Sequence, residues 1–569
     1  MKRNLLYLMM AVGFWAWGQP EDRFVNNRTY EHSELIEEYR ALEKEFAQAN
    51  LIEYGKTDVG RALHLFVMNR DRVFDPLRLV DMNVLLIMNG IHPGESCGVD
   101  ASLKWCYDLL ANDALPENVV IAVIPIYNIG GALNRRPHTR ANQNGPEGQG
   151  FRGNVRNLDL NRDFIKADTR NTEAVYQIFQ DWDPDVFIDT HTTDGADYPY
   201  DLTLIATQPD ALGSIMGQYM RHVFEPVLFE LMAKRGEEIT PYVNVFGADP
   251  LEGWERFFES PRYSTGFAAL HHCFTFVTEA HMLKPYEDRV VATYTFLDVM
   301  KDYMEVHHQQ LRSLRNSSRA AAQKADTWPI AWELDTTQLS KLPFKGYKAS
   351  KVPMESVPGE KIDFDQGEIV QTEVDYYEWY KPSIEVEVPE FYIVPQAWGE
   401  IAERLIMNGV VVEPLPRDSV MQVEVSYITD YSNADAPYEG HFMHNGVVKL
   451  ESELQEVQLF KGDLIVRTDQ AAMRFIVETL EPQATDSYFR WGFFDSALQQ
   501  KEWYSGYIFD TTAVRMLNED AALRHDFEAA KEADPRLEKS GRFQMYWLYQ
   551  RSELYERKGR YPVFRVLRS

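Results

Sequence analysis

Four residues whose side chains can bind a metal or move a proton stand just after apolar runs of the chain. They are His92, Glu95, His191 and Glu279. Each apolar run is rich in Val, Ile, Leu or Phe, which is typical of a strand buried on both faces of a sheet. The carboxyl ends of such strands form the ligand crevice of an open α/β sheet. We therefore expect these four side chains to meet at one edge of a single sheet.

Three of these residues have the types that a hydrolytic metal centre uses. Zn²⁺ in such a centre commonly takes three protein ligands from His and Glu and keeps a position for water. In His92-Pro93-Gly94-Glu95 the Pro-Gly pair favours a turn, which lets the two outer side chains face one point. The pattern His-x-x-Glu is weak alone, and a single His at a strand end is more often a structural residue. The position after buried strands favours a metal site, with His191 placed like a third ligand.

The hydrophobic pattern indicates the elements that must position these residues. Between about residues 30 and 310, apolar strand-like runs alternate with helical patterns. Four runs are suited to buried strands: Val84–Met88, Val119–Tyr127, Val186–Asp189 and Phe274–Val277. This alternation predicts an α/β fold. A long helix that begins at Tyr286 and extends beyond His308 is predicted to close this part of the chain.

The pattern changes after this helix. The polar stretch 313–327 is the favoured linker, and residues 328–470 have strand-like patterns with many turn residues. The last hundred residues return to helical patterns rich in aromatic side chains. The sequence thus predicts a catalytic domain, 19–325, and a C-terminal accessory region, 326–569, that is strand-rich and then helical.

The composition of the 569 residues excludes several classes of protein. With 45% hydrophobic and 25% charged residues, the chain has an ordinary globular composition, unlike a disordered or collagen-like protein. Lys and Arg number 58 against 87 Asp and Glu, which gives a formal net charge of −29. Such a surface repels phosphate backbones, so nucleic acid is not an expected partner.

The first residues have the pattern of a secretory signal. Lys2 and Arg3 precede an apolar run, 5–17, which ends in small residues shortly before Pro20. The run is shorter than the roughly 20 residues that span a bilayer, and no second stretch qualifies as a transmembrane helix. We expect residues 1–18 to be a cleaved signal and the protein to be secreted or periplasmic, without a membrane anchor.

Four motifs, taken in order along the chain, resemble the zinc metallocarboxypeptidase family, the carboxypeptidase A-like peptidases. They are His92-Pro-Gly-Glu95, Asn157-Leu-Asp-Leu-Asn161-Arg162-Asp-Phe164, Asp189-Thr-His191 and Phe276-Val-Thr-Glu279. The match spans roughly residues 30–310, about half of the chain. The resemblance implies a mixed, mostly parallel sheet flanked by helices, which agrees with the α/β pattern.

The resemblance also implies the catalytic roles of the matching residues. His92, Glu95 and His191 match the ligands of one Zn²⁺ per chain. Glu279 matches the carboxylate that activates the zinc-bound water and passes its proton to the leaving amine. These residue types suit the chemistry, because Zn²⁺ acidifies water and a nearby carboxylate must accept the proton.

The resemblance further implies how the substrate is bound. Asn161 and Arg162 match the pair that holds a free C-terminal carboxylate, for which the planar fork of a guanidinium is well suited. An Arg upstream of that pair helps polarise the scissile carbonyl in the family, and Arg152 is the first choice here, with Arg140 the second. The family's mobile tyrosine, which precedes the catalytic Glu, has Tyr263 as its nearest candidate.

The chain also departs from the family pattern. Only 96 positions separate Glu95 from His191, fewer than in the pancreatic-type enzymes, and Asp163 follows Arg162 where those enzymes usually carry Asn. Asp189 points to the same strand face as His191 and is either a partner that orients it or a solvated or core-edge carboxylate. The pocket for the terminal side chain of the substrate is therefore undefined.

These observations together predict an exported, zinc-dependent carboxypeptidase whose partner is a peptide with a free C-terminal carboxylate. An amidase that acts on cell-wall peptides with the same fold is the alternative enzyme. A binding protein that keeps a peptidase-like domain as a scaffold is the alternative without catalysis, because a fold alone does not define a function. The oligomeric state and the role of residues 326–569 stay open.

Overall fold

The computed structural model describes residues 20–79 and 81–568, which divide into two compact units. The first unit contains the chain up to Ala322 and Trp332–Lys381, and the second contains Gln323–Ala331 and the chain from Pro382. This division does not follow the predicted boundary after residue 325, because a strand-rich segment beyond it packs with the first unit. The assignment of 19–325 and 326–569 as functional domains stays a prediction.

An eight-stranded sheet lies at the centre of the first unit. The first nine strands of the chain are β1 (Ala49–Lys56), β2 (Ala62–Met68), β3 (Asn83–Asn89), β4 (Val119–Ile124), β5 (Val186–Thr192), β6 (Leu202–Ala206), β7 (Thr240–Pro241), β8 (Trp254–Glu255) and β9 (Phe274–Ala280). All of them except β8 form the sheet, in the order β1-β2-β4-β3-β5-β9-β6-β7. The central pairs β4-β3, β3-β5 and β5-β9 are parallel, whereas β1-β2, β2-β4 and β9-β6 are antiparallel. The predicted mixed sheet is confirmed.

The four apolar runs that the sequence analysis singled out lie in the central strands β3, β4, β5 and β9. Every residue of β3, β4 and β5 is buried, which explains why these strands are apolar on both faces. In the parallel register, Met88 of β3 lies opposite Asp189 of β5, and His191 of β5 lies opposite Glu279 of β9. The carboxyl ends of these three strands are therefore adjacent.

Helices flank this sheet, as predicted. They are α1 (His32–Glu45), α2 (Cys97–Ala111), α3 (Ile129–Leu133), α4 (Arg170–Trp182), α5 (Pro209–Leu212), α6 (Ser214–Tyr219), α7 (Glu225–Lys234), α8 (Ser264–Leu270) and α9 (Tyr286–Ala322). Apolar side chains of the helices and of the sheet form one continuous core. Its members include Trp105 of α2, Ile188 of β5 and Phe296 of α9.

The linker predicted at 313–327 is wrong for most of its length, because α9 continues to Ala322. Most polar residues of this segment lie on the exposed face of the helix, and only Arg315 and Ser318 among them are buried. Arg315 donates to Asp185 Oδ1 at 2.7 Å and to Asp183 Oδ1 at 2.7 Å. The exposed polar face, together with the buried Arg315, gives the segment the composition of a loop.

Four strands follow α9 in the chain: β10 (Thr327–Leu334), β11 (Ser340–Pro353), β12 (Glu360–Tyr377) and β13 (Tyr380–Glu387). Strands β11 and β12 form a long antiparallel hairpin, and β8 joins β12 in parallel to complete a three-stranded sheet. Strands β10 and β13 pair as a two-stranded sheet.

The second unit contains a six-stranded sheet and six helices. The strands are β14 (Phe391–Val394), β15 (Glu413–Pro414), β16 (Ser419–Asp430), β17 (Lys449–Leu459), β18 (Leu464–Arg467) and β19 (Phe564–Val566), in the order β15-β18-β14-β19-β16-β17. The helices are α10 (Gly399–Met407), α11 (Met473–Leu480), α12 (Gly506–Glu519), α13 (Ala521–Ala533), α14 (Pro535–Lys539) and α15 (Gly541–Tyr549). A strand-rich region that ends mainly in helices is thus confirmed.

The predicted secretory signal, residues 1–18, lies outside the described residues and stays a prediction. Within the described part of the chain, no helix has both the length and the apolar composition needed to cross a bilayer.

Candidate metal and substrate site

The ends of three adjacent strands bring together the residues that the sequence analysis singled out. His92 and Glu95 lie in the turn that joins β3 to α2, in which the Glu95 N–H donates to the His92 carbonyl at 2.8 Å. Gly94 is required in this turn, because a Cβ there would lie 2.6 Å from Arg140 Cδ. His191 and Glu279 are opposite each other on the parallel strands β5 and β9.

His92, Glu95 and His191 form a buried group whose ligand atoms all lie within 4.8 Å of one another. Nδ1 of His92 lies 3.3 Å from Glu95 Oε1, and Nδ1 of His191 lies 3.1 Å from Glu95 Oε2. The two imidazole rings are 4.9 Å apart and close to perpendicular. The three side chains therefore converge on one point.

A second carboxylate stands behind each imidazole. Nε2 of His92 is 2.9 Å from Asp159 Oδ1, and Nε2 of His191 is 3.0 Å from Asp189 Oδ2. An ionised carboxylate only accepts hydrogen bonds, so the contact with Asp159 favours the His92 tautomer that has its proton on Nε2 and its lone pair on Nδ1. Asp189 lies close to His191 Nε2 without hydrogen-bond geometry, and the hydrogen bond of this ring joins Nδ1 to Glu95 Oε2. Nδ1 of both rings thus faces Glu95, which is the arrangement of donor atoms that a metal needs.

An unpartnered atom supports the same conclusion. His92 Nδ1 is fully buried and makes no hydrogen bond within the described residues. An imidazole nitrogen in this state is costly unless a group that accepts its lone pair lies beside it. Two imidazoles and one carboxylate suit a divalent cation such as Zn²⁺, so the residues fit the metal that the sequence predicts.

Burial and neighbouring charges act in opposite directions on the carboxylates of the site. Burial opposes the ionisation of Glu95, but the Arg140 guanidinium beside it holds its pKa well below the ordinary value. Burial likewise opposes the ionisation of Asp159, and His92 and Arg152 together hold its pKa below the ordinary value. Both carboxylates are therefore charged at neutral pH.

Glu279 has the opposite behaviour. Burial, together with the nearby carboxylates of Glu95 and Glu259, raises the pKa of Glu279 to about 8, although His191 acts in the opposite direction. A group with such a pKa can accept and release a proton near neutral pH.

All nine residues predicted for the site line one cavity of about 580 Å³. They are His92, Glu95, Arg140, Arg152, Asn161, Arg162, His191, Tyr263 and Glu279. The structure thus brings together the metal group, a carboxylate that can act as a base and several cationic side chains.

The two upstream arginines both lie beside the metal group. Nη2 of Arg140 is 2.8 Å from Glu95 Oε1, and the side chain is mostly buried. Arg152 Nε donates to Asp159 Oδ2 at 3.0 Å, and Arg152 Nη1 is 3.6 Å from Glu95 Oε1. The Arg152 side chain is 44% exposed, so it is the more accessible of the two from the cavity.

The pair Asn161-Arg162 is held in place by its surroundings. Asn161 Oδ1 accepts the Ser264 N–H at 3.2 Å, which leaves the amide Nδ2 to donate elsewhere. The Arg162 guanidinium lies 4.2 Å from the centre of the Tyr263 ring, a cation–π contact that restrains its orientation. Tyr263 therefore contacts the predicted carboxylate-binding residue directly.

Sequence reasoning missed three carboxylates of the site: Asp159, Glu259 and the exposed Asp194, which lines the cavity. Asp159 lies in the motif that contains Asn161 and Arg162, two positions before Asn161. Its place in that motif was the one signal in the sequence for its contact with His92. Glu259 also lines the cavity, but it follows two Phe residues in a segment without a periodic pattern, and nothing in the sequence indicated it.

Comparisons with known proteins agree with the resemblance seen in the motifs. Carboxypeptidase 2 of Trichophyton rubrum is 24% identical over 439 residues, which cover 71% of this chain and 73% of that protein. Carboxypeptidase 2 of Trichophyton tonsurans is 22% identical over 438 residues, with the same coverage of each chain. No protein-family model matches the chain.

Among solved structures, the metallo-carboxypeptidase from Burkholderia cenocepacia is 16% identical and covers 49% of this chain and 70% of its own, with a TM-score of 0.36. Carboxypeptidase A from Helicoverpa armigera is 13% identical and covers 55% of this chain and 78% of its own, also with a TM-score of 0.36. The curated relatives confirm the resemblance to the carboxypeptidases and support a peptidase of that class.

Proposed function

We propose that the chain is a zinc-dependent carboxypeptidase that removes the C-terminal residue of a peptide. One observation supports this above all: the His-Glu-His group, the base Glu279 and the pair Asn161-Arg162 line a single cavity. A hydrolase that recognises a free carboxylate beside the scissile bond needs these three parts within one substrate's reach.

His92, Glu95 and His191 would hold the metal. When bound there, Zn²⁺ lowers the pKa of a water molecule to roughly 7 and polarises a carbonyl oxygen. Asp159 keeps His92 in the tautomer that presents Nδ1, and Asp189 places a carboxylate 3.0 Å from Nε2 of His191.

Glu279 is the proposed general base. It accepts a proton from the attacking water and delivers it to the amine that leaves, so that one carboxyl group serves both proton transfers. Its raised pKa favours this exchange near neutral pH. Arg152, which is partly exposed and lies beside the metal group, supplies positive charge where the carbonyl oxygen becomes negative.

Asn161 and Arg162 are the proposed recognition pair for the terminal carboxylate. The cation–π contact with Tyr263 and the hydrogen bond from Ser264 restrain the two side chains before the substrate arrives. Such restraint lowers the entropy lost on binding. The movement expected for Tyr263 on substrate binding stays a prediction, and so does the export of the protein.

A pair of peptides tests the proposal. The two peptides have the same sequence and differ only in a free or an amidated C-terminal carboxylate. We expect release of the last residue from the free acid alone, because the amide has no charge for Arg162. Equal hydrolysis of the amidated peptide, or hydrolysis of cell-wall peptides only, would favour the amidase alternative.

Replacement of the recognition residue sharpens the test. Arg162→Met should lower kcat/KM for the free acid by about 100-fold or more, because it removes a charged, hydrogen-bonded partner from a desolvated site. The matched control is Arg235→Met, since Arg235 pairs with Asp298 and Asp302 away from the cavity and should leave kcat/KM unchanged.

A further inference from the structure

One buried carboxylate of the cavity has no role in the proposed reaction. Glu259 lies between β8 and α8, is only 7% exposed, and lines the cavity that contains the metal group and Arg162. Burial raises the pKa of Glu259, so a cation beside it would stabilise its ionised form. The question is which partner it has.

One oxygen of Glu259 is fixed. Its Oε2 accepts hydrogen bonds from the Thr265 hydroxyl at 2.7 Å and from the Thr265 N–H at 3.3 Å. The backbone of the same segment is in tight contact with α8, since a Cβ on Gly266 would lie 2.7 Å from the Glu259 carbonyl oxygen. Residue 264, next to Thr265, donates to Asn161. Glu259 and the proposed carboxylate-binding residue Asn161 thus share one support, which fixes their separation.

The other oxygen faces the cavity without a partner. Glu259 Oε1 forms no hydrogen bond within the described residues, and this oxygen is not fully buried. It is therefore accessible from the cavity that Glu259 lines. Nor does any Lys, Arg or His of the described chain form an ion pair with it.

The charged groups around Glu259 do not neutralise it. Arg162 and His191 act on it favourably at longer range, whereas Asp189 acts unfavourably, and Glu259 in turn raises the pKa of Glu279. In the proposed reaction, Arg162 binds the substrate carboxylate and His191 binds the metal. A cation carried by the substrate is therefore the partner that would stabilise the ionised form of Glu259.

The rest of the cavity wall suits a long side chain. Ile205, Phe257 and Tyr242 also line the cavity and provide apolar or aromatic surface. Lys and Arg pack their methylene stems against such surface and place the charge at the end. A free C-terminal residue with a cationic side chain therefore matches both the wall and the unpartnered oxygen.

We propose that Glu259 is the specificity-determining residue of the site and selects peptides that end in Lys or Arg. This inference rests on the proposed carboxypeptidase function. Its observable consequence is a preference of at least about tenfold in kcat/KM for a C-terminal Lys over norleucine, which has the same stem without the charge.

The test uses three N-blocked peptides that differ only in a C-terminal Lys, Arg or norleucine. The native protein should hydrolyse the first two at least tenfold more efficiently than the third. Glu259→Gln should reduce this ratio to about threefold or less while it retains hydrolysis of the norleucine peptide, because Gln Oε1 can still accept from Thr265. The matched control, Glu255→Gln, changes an exposed carboxylate of β8 and should keep the native ratio.

Each outcome bears on a distinct claim. Hydrolysis of the norleucine peptide with no preference for Lys or Arg would overturn the role of Glu259 and leave the carboxypeptidase function intact. An unchanged ratio in Glu259→Gln would assign Glu259 to the support of α8 alone. No hydrolysis of any of the peptides would overturn the proposed function instead. If Glu259→Gln fails to fold, two other measurements decide the question. They are the ranking of the three peptides by kcat/KM with the native protein and with Glu259→Asp, which keeps the charge.

Discussion

Replacement of Asp159 by Asn tests whether the carboxylate behind His92 prepares the metal site. Asp159 Oδ1 accepts from the Asn161 N–H at 2.9 Å and faces His92 Nε2 at 2.9 Å, while Oδ2 faces Arg152 Nε at 3.0 Å and Nη2 at 2.9 Å. Both oxygens of the native side chain are thus acceptors. In the Asn variant one of these oxygens is replaced by an NH₂ group. In either orientation this group faces donors, so at least one hydrogen bond is lost.

The size of the effect follows from these contacts. Loss of one hydrogen bond to a charged group costs about 1.5–3 kcal/mol. Because about 1.4 kcal/mol corresponds to a factor of ten, Asp159→Asn should weaken Zn²⁺ binding by roughly 10- to 100-fold. Loss of a carboxylate partner of a metal-binding His commonly has an effect of this size.

The assay is a competition titration of the metal-free protein with Zn²⁺ in the presence of a chromophoric chelator, which needs no substrate. The control is Asp210→Asn. Asp210 also accepts several hydrogen bonds, from Arg221 at 3.0 and 2.7 Å and from the Tyr380 N–H at 2.9 Å, but none of its partners is a proposed metal ligand. We expect native affinity in the control. An affinity of Asp159→Asn within about threefold of the native value would refute the role given to Asp159.

Two further predictions concern the base and the anchoring of α9. Glu279 must be ionised to accept a proton, so kcat/KM should fall tenfold per pH unit on the acidic side of its pKa. The apparent pKa should lie between the ordinary 4.5 and about 8, because burial raises it and bound Zn²⁺ favours the ionised form. A pH profile without an acidic limb would contradict this assignment. Arg315→Met should lower the free energy of unfolding by about 3–5 kcal/mol, because it leaves the buried carboxylate of Asp185 unpaired. Arg319→Met, which removes a partly exposed partner of Asp183, should cost no more than about 1 kcal/mol, and equal losses in urea denaturation of the two variants would contradict the burial argument.

Much of the first unit could be predicted because its strands are buried on both faces. The run Val84–Met88 has no polar residue, so it fits only a central strand, and the polar residues that follow it lie outside the core. The same logic placed His191 and Glu279 at one edge of the sheet, and the register of β5 with β9 sets them opposite each other. Alternation of strands and helices was therefore sufficient for the site's location.

What the sequence did not indicate depends on contacts between distant segments. The polar end of α9 has a loop-like composition, and contacts with distant segments, such as the pairing of Arg315 with Asp183 and Asp185, anchor it as a helix. Glu259 likewise becomes informative only once α8 fixes one of its oxygens and leaves the other open to the cavity. The side-chain preference of the site is carried by such contacts and not by the motifs.

The most direct test of the central claim is mass spectrometry of one peptide ending in Lys, incubated with the native protein and with Glu279→Gln at equal, measured Zn²⁺ content. The account predicts stepwise loss of single C-terminal residues with the native protein, no loss with a chelator present, and a reduction of at least about 100-fold in the variant although its metal is retained. Hydrolysis by Glu279→Gln at the native rate, or cleavage within the peptide rather than at its end, would contradict it.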